Sequence, residues 1–521
     1  MDYDTHNRND MEAMVSRSVI IGAGIGGLAT ACFLAKAGYE VSVYEKNDMP
    51  GGRAGLLEVD GFRFDTGPSW YLMPEVFDHF FSLFGMSAEK ELEIVRLDPG
   101  YKVFFEQNEP VVVRRDFAAN QAAFDAIEPG AGRMLSRYVA NSSYAYKVAL
   151  DHFLYTNFQS PLDFLRPAVL RSLPKMSRLA FGKVDAHVSK QFHDQRLKQI
   201  LEYPMVFLGA SPYDAPALYT LMSSLDFESG VYYPRQGMYS VIEKLMKLSR
   251  DLGVKYYFEA PVTKIVTSTG KAVGIELENG ELVEADVVVS NADLHFTETK
   301  LLAAHERTYP ESYWRRRNPG PSALLMYLGV KGALPQLEHH SLLFVDAWRE
   351  NFEAIYDTKT IPEHASIYLA KATATDPSLA PEGHETLVVL VPLPAGLSLE
   401  EVELASLAER TVLQIALMTG IADLPERIVS QTLMAPQEFG EKFHAWQFGA
   451  LGPAHVLSQS AFFRMTNRSR RVNNLYYVGG STIPGIGLPM CLISAELLYK
   501  HLAGDRRGGP IEQVQSLVGD K

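Results

Sequence analysis

An α/β fold built on a Rossmann-like dinucleotide-binding unit is predicted by three observations. "SVIIGAGIGGLATACFLAKAGYEVSVYEK", from Ser18 to Lys46, orders an apolar strand, a glycine-rich turn, a helix and a second strand. "YYVGGSTIPGIGLPMCLISAELL", from Tyr476 to Leu498, repeats strand, Gly/Pro turn and helix near the other end of the chain. Between them, "GVKYYFEAPVTKIVTSTGKAVGIELENGELVEADVVVSNAD", from Gly253 to Asp293, reads as strands and a hairpin.

In the first motif Val19 to Ile21 is a β-branched strand, and Gly22, Gly24 and Gly27 follow in G-x-G-x-x-G spacing with Gly26 inside it. Gly22 permits the tight turn, Gly24 lets backbone approach a pyrophosphate, and Gly27 lets helix and strand close up. The spacing predicts a helix over Leu28 to Ala37, stopped by Gly38, whose N-terminus presents free N–H groups to phosphate. Val41 to Tyr44 is the second strand. Glu45 ends it, where a carboxylate can accept both ribose hydroxyls and repel a 2′-phosphate. In the middle stretch a hairpin is expected about Asn279-Gly280, with a buried strand from Ala285 to Ser290.

A chain of 521 residues exceeds one ordinary core and predicts more than one domain. Its 47% hydrophobic and 21% charged content is that of a folded globular protein. A net charge of −13 argues against nucleic acid as a partner. Two cysteines, Cys32 and Cys491, give neither a disulfide framework nor a cysteine-rich metal site, and point to a reducing compartment. No metal site is expected: there is no H-E-x-x-H, and His339-His340 reads as an adjacent pair in a loop. No run reaches the ~18 apolar residues of a membrane span. The polar residues 1–14 and residues 506–521 read as disordered tails.

The residues after Glu45 favour FAD over NAD. "DMPGGRAG" supplies Gly51, Gly52 and Arg53, a second close approach to pyrophosphate with a cation beside it. "FRFDTGPSW" then gives a strand and a tight turn at Gly67-Pro68-Ser69. With "VYYPRQGMYSVIEKL", "VVVSNAD" and "QSAFFRMTNRSRRVNNLYYVGGSTIPGIGLPM", these stretches resemble the bacterial and fungal phytoene desaturases, within the two-dinucleotide-binding-domain flavoproteins of glutathione-reductase and amine-oxidase type. The resemblance spans nearly the whole chain. In its last motif Gly479, Thr482, Pro484, Gly485, Gly487 and Pro489 hold the frame; Gln236 and Met490 stand where many members have glycine.

The resemblance implies FAD as the only redox cofactor, held by a discontinuous domain of residues 15–69, 234–292 and 459–503. An interleaved α+β substrate domain of residues 70–233 and 293–458 would carry a helical membrane-facing part about 160–190. Beyond the first glycine motif and Glu45, it implies cofactor contacts at Lys46, Gly52, Arg53, Gly67, Pro68, Ser69, Val262, Asn291, Gly479, Gly480, Gly487, Leu488, Pro489 and Met490. The helix starting at Leu488 would point its N-terminus at the flavin ring, where reduction leaves negative charge. The implied reaction introduces conjugated double bonds into a polyene such as phytoene by hydride transfer to flavin, with oxygen or quinone as final acceptor. Asp163 and Arg166 in "SPLDFLRP" are the implied proton-transfer residues. The implied location is cytoplasmic, peripheral to the bilayer that dissolves the substrate. "FLRPAVLRSLPKMSRLAFGKV", Phe164 to Val184, suits that surface with five cations and no acid. Rival readings are a C30 diapophytoene desaturase, a polyene isomerase or oxidase on the same scaffold, and a flavin-free isoprenoid-binding protein.

Overall fold

The computed structural model describes residues 16–157 and 179–518. A parallel five-stranded sheet has the order Leu475–Tyr477, Val287–Ser290, Arg17–Ile21, Glu40–Tyr44, Lys255–Tyr257. Its strands therefore come from three stretches separated by some two hundred residues each, which is why two glycine turns far apart in sequence leave the same sheet end. Side chains alternate across it. Ile20, Val43 and Val289 face one core, and Val19, Ile21 and Val288 face another.

On the first face lies the helix Ile25–Lys36, buried continuously from Ile25 to Leu34. It packs between the helices Tyr239–Asp251 and Leu488–Leu502, so an apolar surface all round suits it. It starts three residues before the expected Leu28, since Gly26 and Gly27 form its first turn. The other face is covered by an antiparallel sheet of Val262–Ser268, Lys271–Leu277 and Leu282–Glu284. Both Thr269-Gly270 and Asn279-Gly280 turn the chain there, where the sequence pattern suggested one hairpin. The last strand of the stretch begins at Val287, not Ala285.

A second sheet of seven strands runs Ile428–Met434, Ser322–Lys331, His384–Leu393, Ile367–Ala370, His340–Phe344, Tyr101–Phe105, Val111–Val113. Leu324, Met326 and Leu328 pack under Leu407, Val412 and Ile415 of the helix Glu401–Thr419; Ala323, Leu325 and Tyr327 face Phe62 and Phe64. Two-sided burial explains why these strands read as unbroken apolar runs.

Two expectations are corrected here. His339-His340 is not a loop pair: His340 opens a central strand, stacks on Trp70 at 4.4 Å and meets the Tyr368 hydroxyl through Nδ1 at 2.8 Å. Burial drives both imidazoles below their ordinary pKa, so they are neutral core groups. Residues 506–518 are not a loose tail. Ile511 N–H donates to Glu496 Oε1 at 2.8 Å, and Leu517 N–H to Ala37 O at 2.9 Å. Lys500, buried in the last helix, also donates to the carbonyls of Arg507 and Gly509. No helix among the described residues is long and apolar enough to cross a membrane.

Candidate functional site

The glycine turns meet edge to edge. Gly22 has a φ of +94° and donates to Tyr44 O at 2.8 Å, while Gly51 donates to Ala23 O at 2.9 Å, tying the second glycine pair to the first loop. A Cβ on Gly27 would stand 2.1 Å from Gly22 O, so this glycine serves helix–strand packing. A Cβ on Gly67 would stand 1.8 Å from Arg53 O, which fixes the turn after "FRFD". Asn291 reaches between the turns: Cβ atoms on Gly24, Gly26 and Gly479 would lie 2.7, 2.6 and 2.8 Å from its amide.

Around this cradle opens a cavity of about 1140 Å³, above the ~300–1,000 Å³ of ordinary small-molecule sites. Every expected cofactor-contact residue borders it except Gly27. Its lining joins the glycines, Glu45, Lys46, Arg53 and Val262 to the apolar side chains of Trp70, Phe153, Phe207, Met222 and Leu225. Leu325, Tyr368 and Leu390, cross-strand neighbours in the seven-stranded sheet, supply part of its floor.

Glu45 departs in detail from expectation. Its Oε2 accepts Ala23 N–H at 2.8 Å, and its Oε1 accepts both Asn47 N–H at 3.0 Å and Asn47 Nδ2 at 2.9 Å. With two acceptor positions per oxygen, one remains on Oε2. A second sugar hydroxyl needs Asn47 to turn away. Lys46 donates to the Glu441 carbonyl. Arg53 donates to Gly449 O at 3.3 Å and faces Asp293 at 3.8 Å, but its buried Nε has no partner among the described residues. Burial lowers the Arg53 pKa and Asp293 partly restores it. Asp293 also caps the helix Leu294–Lys300, accepting His295 N–H at 3.0 Å.

The second turn is held by residues to which the sequence pattern assigns no role. Arg464, 2% exposed, donates to the carbonyls of Thr482 at 3.1 Å, Pro453 at 3.1 Å, Gln459 at 3.2 Å and Gly480 at 2.6 Å. No carboxylate among the described residues pairs with it, and burial pushes it down to about 10. Asn467 Nδ2 serves Thr482, Ile483 and Ser494, and Ser494 Oγ accepts Gly479 N–H at 3.2 Å. His455 Nε2 accepts Ile486 N–H at 3.2 Å while Nδ1 meets the Tyr219 hydroxyl at 2.7 Å; burial keeps this imidazole neutral. The signal for Arg464 and Asn467 is "FRMTN", a stretch that only the resemblance singles out. Asp65 is a further residue that motif spacing misses. It accepts Tyr233 OH at 2.6 Å and the N–H groups of Met238 and Tyr239 at 2.8 and 3.0 Å, pinning "FRFD" to "PRQGMY". Gln236 adopts a φ of +68°, the left-handed conformation that explains a glycine there in other members.

Leu488, Pro489 and Met490 form the first turn of the 15-residue closing helix at the cavity wall, behind Gly487 with a φ of +118°. No acid occupies that turn, so its partial positive charge is unopposed within the helix. Cys491, pushed up to about 12 by burial, is a small core contact and not a reactive thiolate. Asp163 and Arg166 lie outside the described residues. No cluster of metal-ligating side chains occurs among the described residues.

A glycine-lined cradle, an arginine whose buried Nε is unpaired among the described residues and a helix N-terminus without an acid are what an anionic dinucleotide needs. This is a flavoprotein site. The flavin containing amine oxidoreductase family matches residues 25–497, and the chain belongs to it. Within that class it is a member of the FAD-dependent carotenoid desaturases. It is 42% identical to the carotenoid 3,4-desaturase of Haloarcula japonica, over 93% of this chain and 98% of that one. It is 36% identical to the zeta-carotene-forming phytoene desaturase of Myxococcus xanthus, over 93% of each. Putrescine oxidase shares the fold, with a TM-score of 0.62 at 15% identity over 94% of this chain and 99% of the other. The flavin-free alternative is set aside.

Proposed function

We propose that the chain desaturates an acyclic carotenoid, with phytoene as first substrate, as a cytoplasmic protein peripherally attached to the membrane. The observation that carries this reading is that one cavity is lined both by the glycine cradle and by the apolar side chains of Trp70, Phe207 and Leu225. FAD, when bound, supplies the hydride acceptor. Gly24, Gly26 and Gly479 would admit its phosphates and Arg53 would neutralise them, while the Leu488 helix end would favour negative charge nearby. The apolar lining aligns a polyene carbon and excludes water from a cation forming on it. A proton must then leave the neighbouring carbon. The carboxylates bordering the cavity among the described residues, Glu45 and Asp293, sit at the nucleotide end. Asp163, which the resemblance implies as a proton-transfer residue together with Arg166, is our candidate acceptor. Oxygen or quinone would reoxidise the flavin.

Desaturation of the 3,4 bond of a carotenoid is a second reading, favoured by the 42% identity to a protein of that name. The test offers the FAD-loaded protein phytoene and, separately, a carotenoid saturated at that bond. A product from phytoene supports the first reading, one from the other substrate alone supports the second, and none from either rejects both.

A further inference from the structure

Large apolar side chains are exposed at several places among the described residues, and the exposed phenylalanines gather at one of them. Phe181 is 78% exposed, Phe462 47%, Phe463 51% and Leu457 36%, and all four border the mouth of the cavity. No other phenylalanine among the described residues is exposed to that degree. Phe462 and Phe463 stand side by side at 4.4 Å on the stretch 461–463, which ends at the buried anchor Arg464.

Beside this rim lies a concentration of positive charge. Arg315, Arg316 and Arg317 are consecutive in a chain of net charge −13. Arg317 donates to Ser458 O at 2.5 Å and lies over the Tyr313 ring at 4.3 Å, which docks the triplet onto the segment carrying Leu457 and Phe462. Arg316, Arg317, Tyr313, Ser312 and Ser458 enclose a separate recess of about 450 Å³. Glu311, four residues before Arg315, is engaged by His295 at 3.2 Å.

We propose that Phe181, Leu457, Phe462 and Phe463 enter the acyl boundary of an anionic bilayer while Arg315, Arg316 and Arg317 hold lipid phosphates at the headgroup level, so that the cavity mouth opens into the membrane. Aromatic rings bordered by cations are the composition of an interfacial surface, and arginine forks match phosphate oxygens. The placement rests on the carotenoid reading, since only a bilayer-dissolved substrate needs such a mouth.

The test is co-sedimentation of the FAD-loaded protein with vesicles of phosphatidylcholine and phosphatidylglycerol containing no substrate. The parent is expected to pellet, less so in high salt. Arg315→Glu with Arg316→Glu should weaken the partition at least ~25-fold, about fivefold for each arginine lost. Phe462→Ser with Phe463→Ser should weaken it tenfold or more on neutral and anionic vesicles alike, with visible flavin absorbance checking the fold. Should that variant lose its flavin, the arginine pair alone decides. Parental pelleting of the arginine variant overturns the proposal. So does a change of oligomeric state without a change in vesicle binding, which would make the rim a contact between copies. Failure of the carotenoid reading registers separately, as absence of product from any substrate while empty vesicles still bind.

Discussion

Alanine at Gly24 and alanine at Gly27 are expected to fail in different ways. Gly24 has a φ of −70° and ψ of 169°, which alanine adopts without strain. Its new methyl would stand 2.7 Å from Asn291 Nδ2, the end of a movable side chain, with the next backbone atom, Gly51 O, 3.9 Å away. The polypeptide can accommodate it; a pyrophosphate in that space cannot. An extra methyl in a filled site costs about 1–3 kcal/mol, which weakens FAD binding roughly 5- to 150-fold at 1.4 kcal/mol per decade. At Gly27 the methyl meets Gly22 O at 2.1 Å, backbone against backbone, before any cofactor arrives. The same 1–3 kcal/mol now falls on the apoprotein and lowers its Tm by roughly 1–3 °C. Titrating FAD into each apoprotein by fluorescence, and melting each without FAD, separates the two effects. Parental affinity in Gly24→Ala, or a parental apoprotein Tm in Gly27→Ala, would refute the division of labour.

Arg464→Met should destabilise the apoprotein by about 3 kcal/mol in urea unfolding, since it leaves three buried carbonyls and the half-buried Gly480 carbonyl without this donor; unchanged stability would remove Arg464 as the brace of the second turn. Arg53→Gln should weaken FAD binding about tenfold or more and also lower the apoprotein Tm, because the guanidinium holds Gly449 O and faces the buried Asp293; FAD affinity equal to the parent's would remove Arg53 from the phosphate site. Two buried carboxyls give a pH dependence. Burial pushes Asp226 up from 3.8 to about 7 and Glu202 from 4.5 to about 8. The folded chain therefore holds protons the unfolded chain releases, and the stability they contribute is full below about pH 4 and lost as pH rises through 7 to 8. Glu202→Gln and Asp226→Asn should flatten the fall in Tm between pH 5 and 8, and a parallel fall in both variants would contradict that assignment.

The nucleotide half was legible because its chemistry is local. Gly22, Gly24, Gly27 and Glu45 sit within 24 residues of one another, and each backbone requirement names its residue. The pairing of the first turn with the second came from the resemblance, since no local pattern links Gly26 to Gly479. The braces were harder. Arg464 and Asn467 act through carbonyls and hydroxyls of the turn itself, so charge pairing and motif spacing leave them silent. Asp65 binds backbone N–H groups some 170 residues away in sequence. His340 misled because histidine in a polar-looking stretch reads as loop, whereas its aromatic neighbours Trp70 and Tyr368 come from other segments. At the substrate end, Phe, Leu and Met serve core and cavity alike, and only the fold separates Phe207 at the wall from Phe192 in the core.

The most direct measurement is anaerobic rapid mixing of the FAD-loaded protein with vesicles carrying phytoene, recording flavin absorbance and then identifying the polyene. The account expects the oxidised flavin band to bleach once per two hydrogens removed, with a product of longer conjugation appearing in step and air restoring the band. A flavin that stays oxidised, with phytoene and with a carotenoid saturated at the 3,4 bond alike, would contradict it.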